Sequence, residues 1–134
     1  MHEAIAYYQK ALVYNFQYAD AYYNLGVAYG ETGTLFKKTC RPGLHTNTSL
    51  CPGEFDKAVV SYELAIHFNP SCCEAYNNLG VIYKDRDNLE RAIQCYLAAL
   101  NVNPKFSQTL NNLGVVYTVQ GKVKILSFTF SKKV

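Results

Sequence analysis

One nine-residue pattern of apolar and polar positions occurs three times along the chain: Ala21-Tyr-Tyr-Asn-Leu-Gly-Val-Ala-Tyr29, Ala75-Tyr-Asn-Asn-Leu-Gly-Val-Ile-Tyr83 and Thr109-Leu-Asn-Asn-Leu-Gly-Val-Val-Tyr117. Tyr22, Leu25, Gly26 and Tyr29 stand at i, i+3, i+4 and i+7, the spacing of one face of an α-helix. A second pattern follows the first. Ala58, Tyr62, Ala65 and Pro70 match Ala92, Tyr96, Ala99 and Pro104 in spacing, and Ala4, Tyr8 and Ala11 begin the same series. Small residues at two places on this helix let neighbours approach, and the proline stops it. The chain therefore reads as pairs of short helices, and its fold class as all-α. Glycine costs about 1 kcal/mol in a helix interior relative to alanine. Its recurrence as Gly26, Gly80 and Gly114 predicts a close helix–helix approach at each.

Two stretches break the pattern. Residues 34–53 are rich in Thr, Pro and Gly, show no helical period, and predict a loop between two helices. Lengthening a surface loop costs little entropy, so the helices are expected to close beneath it. Gly33 and Gly121 are expected to end their helices. Lys122 to Val134 does not supply the next helix. Leu126 and Lys133 stand where alanines belong, and the β-branched and aromatic content predicts a frayed, irregular tail over 123–134.

Gly80 and Gly114 stand 34 positions apart, the tetratricopeptide period; Gly26 and Gly80 stand 54 apart, that period plus the inserted 20. The resemblance implies an α-solenoid of helix-turn-helix repeats. Its expected parts are a partial repeat 1–18, a repeat 19–72 interrupted by 34–53, a complete repeat 73–106 and a partial repeat 107–122. A chain that starts inside a repeat is expected to present a cut face. With about two and a half repeats, it is expected to be marginally stable and to self-associate through its exposed ends.

Composition narrows the function classes. The net charge is +3. Lys37, Lys38 and Arg41 in the insertion and Lys122, Lys124, Lys132 and Lys133 in the tail have no acidic neighbours there, and without them the repeats carry −4. That distribution argues against nucleic-acid binding. No apolar run has the length of a membrane span, and the N-terminal residues do not form a secretory signal, so an intracellular protein is expected. Five cysteines show no C-x-x-C and no zinc spacing, and are expected as reduced thiols. A Cys40–Cys51 bridge is the alternative. Asn47-Thr48-Ser49 matches a glycosylation sequon, which has little weight without a signal. His2, His45 and His67 stand in no catalytic motif, and there is no phosphate loop, so no catalytic residue and no metal ligand is assigned.

Residues 18–33 and 54–122 resemble the later repeats of the plant SPINDLY family, a relative of the O-linked N-acetylglucosamine transferases. The resemblance rests on Tyr18-Ala-Asp-Ala-Tyr-Tyr-Asn-Leu-Gly-Val-Ala-Tyr-Gly-Glu31, Asn78-Leu-Gly-Val-Ile-Tyr-Lys-Asp-Arg-Asp-Asn-Leu89 and Phe106-Ser-Gln-Thr-Leu-Asn-Asn-Leu-Gly-Val-Val-Tyr-Thr-Val-Gln-Gly121. In that family a repeat array precedes a glycosyltransferase domain that modifies Ser and Thr of nuclear and cytoplasmic proteins. The implied donor is GDP-fucose or UDP-GlcNAc, and the implied role is restraint of gibberellin signalling through DELLA-type regulators. This sequence has no counterpart of the catalytic domain. It is therefore expected to bind no donor or cofactor and to transfer no sugar alone. Both departures begin abruptly beside well-matched sequence, as retained intron sequence would.

The resemblance also implies a binding surface. First helices of stacked repeats line the inner face of such arrays. Asn24, Asn78 and Asn112 precede the leucine of each repeat, and in the related transferases a ladder of such asparagines grips an extended substrate. An amide both donates and accepts, so it can hold a peptide backbone whatever its side chains. The alternative use of each Asn is to bond the backbone of the neighbouring repeat. Asp20, Glu74, Glu31 and Asp85 are placed at the groove edge, with solvated helix faces as their other reading. The tyrosines Tyr22, Tyr29, Tyr76, Tyr83 and Tyr117 are expected to pack between repeats. Asn77 and Asn111, beside the ladder positions, are expected to face groove or solvent. A free-standing adaptor for an acidic C-terminus is the alternative function. It would need inward cations where Tyr23, Val27, Asn77 and Val81 stand.

Overall fold

Three of the turns in this chain are built by one residue type at one position. Asn15, Asn69 and Asn103 each accept a bond at Oδ1 from the backbone N–H two residues on, at 3.1 Å to Gln17, 3.1 Å to Ser71 and 3.2 Å to Lys105. Each also accepts at its own carbonyl from the N–H three residues on, Tyr18, Cys72 and Phe106. An Asn side chain that mimics a turn in this way closes one helix and aims the next. The computed structural model describes residues 2–39 and 52–131. Its elements are α1 (His2–Tyr14), α2 (Ala19–Thr39), α3 (Pro52–Phe68), α4 (Cys73–Asp85), α5 (Leu89–Val102) and α6 (Ser107–Ser131). No strand occurs among the described residues. The chain forms two compact units, Met1–Ala75 and Tyr76–Val134, which divide within α4.

In the first unit α2 packs on α3, and α1 on α2. Ala58, Tyr62 and Ala65 of α3 are buried with Ala21, Leu25 and Ala28 of α2. The Tyr62 ring lies on Gly26 so closely that a Cβ there would stand 2.6 Å from it. Phe68 stacks on Tyr22 with centroids 5.6 Å apart and takes the edge of Phe16 at 6.5 Å. The second unit repeats the arrangement. Tyr96 of α5 is wholly buried among Ala92, Leu113 and Val116, with Val81, Ile93 and Leu100 packed around them. A Cβ on Gly80 would stand 2.5 Å from its ring. The close approach expected at the recurring glycine is thus present at Gly26 and Gly80. It is absent at Gly114, where nothing among the described residues lies within 4 Å of an added Cβ.

The turn between α4 and α5 shows what a complete repeat needs. Asp87 adopts a φ of 62°, and Asn88 and Asp87 donate to the carbonyls of Tyr83 and Lys84. This is a Schellman closure with aspartate in the left-handed position. Asn88 then caps α5, accepting from the Arg91 N–H at 3.2 Å. Gly33 and Gly121 stand at the position of Asp87, yet α2 and α6 run through them as helix. The expectation that these glycines end their helices is corrected. After Gly121 comes Lys122-Val-Lys-Ile-Leu, with no Asn, Asp, Ser or Thr to cap a new helix. Extending an existing helix needs no new nucleus. The expected irregular tail is therefore helical to Ser131. Residue 130, the counterpart of Tyr62 and Tyr96, lies about 24 Å along the same helix from Gly114 at 1.5 Å per residue. That distance leaves the glycine uncovered.

In α2 the hydroxyls of Thr32 and Thr34 bond back to the carbonyls of Ala28 and Gly30, at 2.7 and 3.0 Å, which satisfies them inside a helix. Gly33 serves packing instead of termination, because a Cβ there would meet the Phe55 ring at 2.9 Å. The expected loop 34–53 is thus helical at both margins. Residues 40–51, with Cys40, His45, the Asn47 sequon and Cys51, lie outside the described residues. Cys72, Cys73 and Cys95 are thiols outside any disulfide.

The buried Tyr96 hydroxyl has no hydrogen-bond partner. Burial, with Asp85 adding to it, pushes its pKa from 10.0 up to about 12. The folded state therefore holds this proton between pH 10 and 12, where the unfolded chain releases it. Stability is expected to fall as pH rises through that window. Tyr96→Phe removes an unsatisfied hydroxyl, so it should leave stability unchanged or raise it by about 1 kcal/mol. It should also flatten the alkaline fall, as read from thermal melts at pH 8 to 12.

Candidate functional site

Of the expected ladder residues, the second unit brings two into one hydrogen-bonded cluster, and a neighbour joins them. Asn77 is 1% exposed and Thr109 is fully buried. The Asn77 carbonyl oxygen Oδ1 accepts from Thr109 Oγ1 at 2.9 Å and from Asn112 Nδ2 at 3.1 Å. Its Nδ2 donates to Asn78 Oδ1 at 3.4 Å. Asn78 and Asn112 are half-buried. Helix geometry explains the division of labour. Asn77 is i+4 from buried Cys73 and i−3 from buried Gly80, so it shares their face of α4. Asn78 is turned about 100° from it.

The Asn77 carbonyl uses both lone pairs on Thr109 and Asn112. The Asn112 amide keeps a second N–H and a carbonyl beyond that bond. Asn77 was expected to face groove or solvent, and it faces neither. Asn111 is exposed, and in the first unit Asn24 is half-buried on α2.

The four carboxylates placed at the groove edge are all exposed. Glu74 accepts from both Cys73 Sγ at 3.4 Å and Cys72 Sγ at 3.9 Å. Burial chiefly, with the charge of Glu74, raises the pKa of both thiols; Asp20 also acts on Cys72. They stay protonated at neutral pH and are poor nucleophiles. Asp85 is 3.5 Å from Lys84, and Glu31 lies on α2 without a role in the cluster. Tyr22, Tyr29, Tyr76 and Tyr83 are half-buried, whereas Tyr117 is 49% exposed. At the positions where an adaptor would carry cations, Tyr23 lies against Tyr62 at 6.0 Å and Val81 against the core. His67 sits edge-on to Phe68. Among the described residues, no group of three or more His, Cys, Asp or Glu is arranged to hold a metal ion. None of their helices is long and apolar enough to cross a membrane.

The sequence reading missed an apolar cleft of about 360 Å³ between α2 and α3, lined by Tyr22, Tyr29, Lys57, Val60 and Leu64. Lys57 stands 5.5 Å above the Tyr29 ring and 2.9 Å from Glu54.

The family description "Tetratricopeptide repeat" matches residues 73–106, and a second, "TPR repeat", matches residues 2–33. These are tetratricopeptide repeats. Solved structures agree on the fold. The first such domain of Spaghetti (RPAP3), bound to the HSP90 peptide SRMEEVD, superposes with a TM-score of 0.70 at 21% identity. It covers 90% of this chain and 79% of that one. MamA superposes at 0.67 with 24% identity, over 98% of this chain and 61% of its own. The repeats also have a local sequence likeness. The protein named probable UDP-N-acetylglucosamine–peptide N-acetylglucosaminyltransferase SPINDLY is 72% identical over 29 residues in Arabidopsis thaliana and 68% over 31 residues in Oryza sativa subsp. japonica. Those stretches are 22% and 23% of this chain but 3% of each relative. The similarity is to a piece of the repeat region of SPINDLY proteins.

Proposed function

We propose that these repeats bind an extended polypeptide segment of a nuclear or cytoplasmic protein, and do so as the substrate-presenting part of a SPINDLY-like protein O-glycosyltransferase. DELLA-type regulators are the partners the resemblance favours. The observation that carries the reading is the amide cluster of the second unit: Asn112 is held by a buried neighbour while its remaining N–H and carbonyl stay available. Asn24, in the first unit, is the same residue at the same repeat position. Repeats of this fold are protein-binding modules, and the peptide bound to the RPAP3 domain supports that use. The donor, GDP-fucose or UDP-GlcNAc, is not assigned to any residue of this chain.

Amide recognition of a backbone should tolerate sequence and resist salt. A capped peptide rich in Ser, Thr and Pro is expected to bind, and Asn78→Ala and Asn112→Ala should each weaken it about 3- to 10-fold, one ordinary hydrogen bond apiece. Fluorescence anisotropy at low and high salt measures this. Undiminished binding in the double variant overturns the amide reading. A strong preference for a free, acidic C-terminus, lost in salt, would instead favour the adaptor.

A further inference from the structure

We infer that Asn77, which no ligand can reach, is a positioning residue that presets the Asn112 and Asn78 amides for a polypeptide backbone. The inference rests on the polypeptide-binding reading of those two amides, and deepens it.

The other two repeats show that an asparagine here is not a packing rule. The counterpart of Asn77 is Tyr23 in α2, lying against the Tyr62 ring, and the exposed Asn111 in α6. Only in the complete repeat is this position an amide sealed at 1% exposure. Burying an amide is unfavourable unless its groups are satisfied. Here they are satisfied by the neighbours that matter: Thr109 and Asn112 on the carbonyl, Asn78 on the amino group. Thr109 anchors Asn77 from the dry side. Asn77 in turn holds Asn112 on the wetter side.

An asparagine side chain on a helix surface exchanges among rotamers, and a ligand must freeze it on binding. Asn112 is already tied at 3.1 Å, so that ordering penalty does not fall on the ligand. The tie also selects which half of the amide is offered. One N–H is consumed, leaving one donor and one carbonyl acceptor, the complement of a single peptide unit.

The test separates positioning from simple stabilisation. Asn77→Ala and Thr109→Val both break the buried Thr109–Asn77 bond, but only the first removes the acceptor of Asn112. In wild type, the Asn112 side-chain amide should give a resolved, slowly exchanging proton pair by NMR and a single χ1 rotamer. In Asn77→Ala the pair should converge and exchange faster, and affinity for the capped Ser/Thr/Pro peptide should fall about 3- to 10-fold. In Thr109→Val, where Asn77 loses its anchor but Asn112 keeps its acceptor, both changes should be clearly smaller than in Asn77→Ala. Asn77→Ser, whose short hydroxyl cannot span to Asn112, serves if the alanine variant does not fold. A rotamer-averaged Asn112 in wild type, an unchanged one in the Asn77 variants, or equal losses in Thr109→Val would overturn the inference. Asn112→Ala judges the other reading. If it leaves affinity intact, polypeptide binding by that amide is wrong, while the Asn112 spectrum still decides whether Asn77 positions it.

Discussion

Gly80→Ala is expected to destabilise the protein by about 2 kcal/mol, and the same substitution at Gly114 to stabilise it by about 1. The first new methyl would stand 2.5 Å from the Tyr96 ring. That ring is fully buried and packed among Ala92, Leu113 and Val116. Overpacking a filled core costs up to about 3 kcal/mol, and the gain in helix propensity returns about 1. At Gly114 nothing lies within 4 Å, so only the propensity gain remains. Gly26→Ala should follow Gly80, because its methyl would stand 2.6 Å from the Tyr62 ring. The gap of about 3 kcal/mol between chemically identical changes is large enough to read from urea titrations. Equal effects at Gly80 and Gly114 would mean that the ring-on-glycine contact is not what holds the helix pairs together.

Asn77→Ala carries an effect at least as large, a loss of about 2–4 kcal/mol. It strands the fully buried Thr109 hydroxyl without its acceptor, at about 1–3 kcal/mol, and leaves a small void. Thr109→Val is milder, about 1 kcal/mol, because the Asn77 carbonyl keeps its bond from Asn112. Thermal melts of the two variants side by side check the order. A larger loss in Thr109→Val would place the weight of the network on the hydroxyl and not on the amide.

Much of this was legible in the residues. The Leu-Gly-x-x-Tyr period marked three first helices, and the Ala-Tyr-Ala spacing marked their partners, because apolar side chains at 3.6-residue spacing have one face to bury. The helix ends were less legible. Gly33 and Gly121 carry the same signal at the same repeat position as Asp87, yet both helices run on: at Gly33 the capping-type Thr34 bonds back into α2 and the glycine packs under Phe55, and beyond Gly121 no cap waits. Asn88 is such a cap and Lys122 is not. The three asparagines that build the turns, Asn15, Asn69 and Asn103, recur at the repeat interval and were available as a signal.

The amide cluster shows the sharpest limit. Asn77 and Asn78 are adjacent and identical in type, so composition cannot separate them. Their helical phase can: Asn77 shares the face of Gly80, and a position on the face of the recurring glycine is one to expect buried. What no local pattern supplies is Thr109, thirty-two residues on, whose hydroxyl makes burial of that amide tolerable.

The most direct measurement is an NMR titration of the asparagine side-chain amides with the capped Ser/Thr/Pro peptide. The Asn112 and Asn78 pairs are expected to shift together and saturably, while the exposed amide of Asn111 next to the cluster stays still. Saturable binding that leaves Asn112 and Asn78 unmoved, or no binding at all, would contradict the proposal that these repeats hold a polypeptide by its backbone.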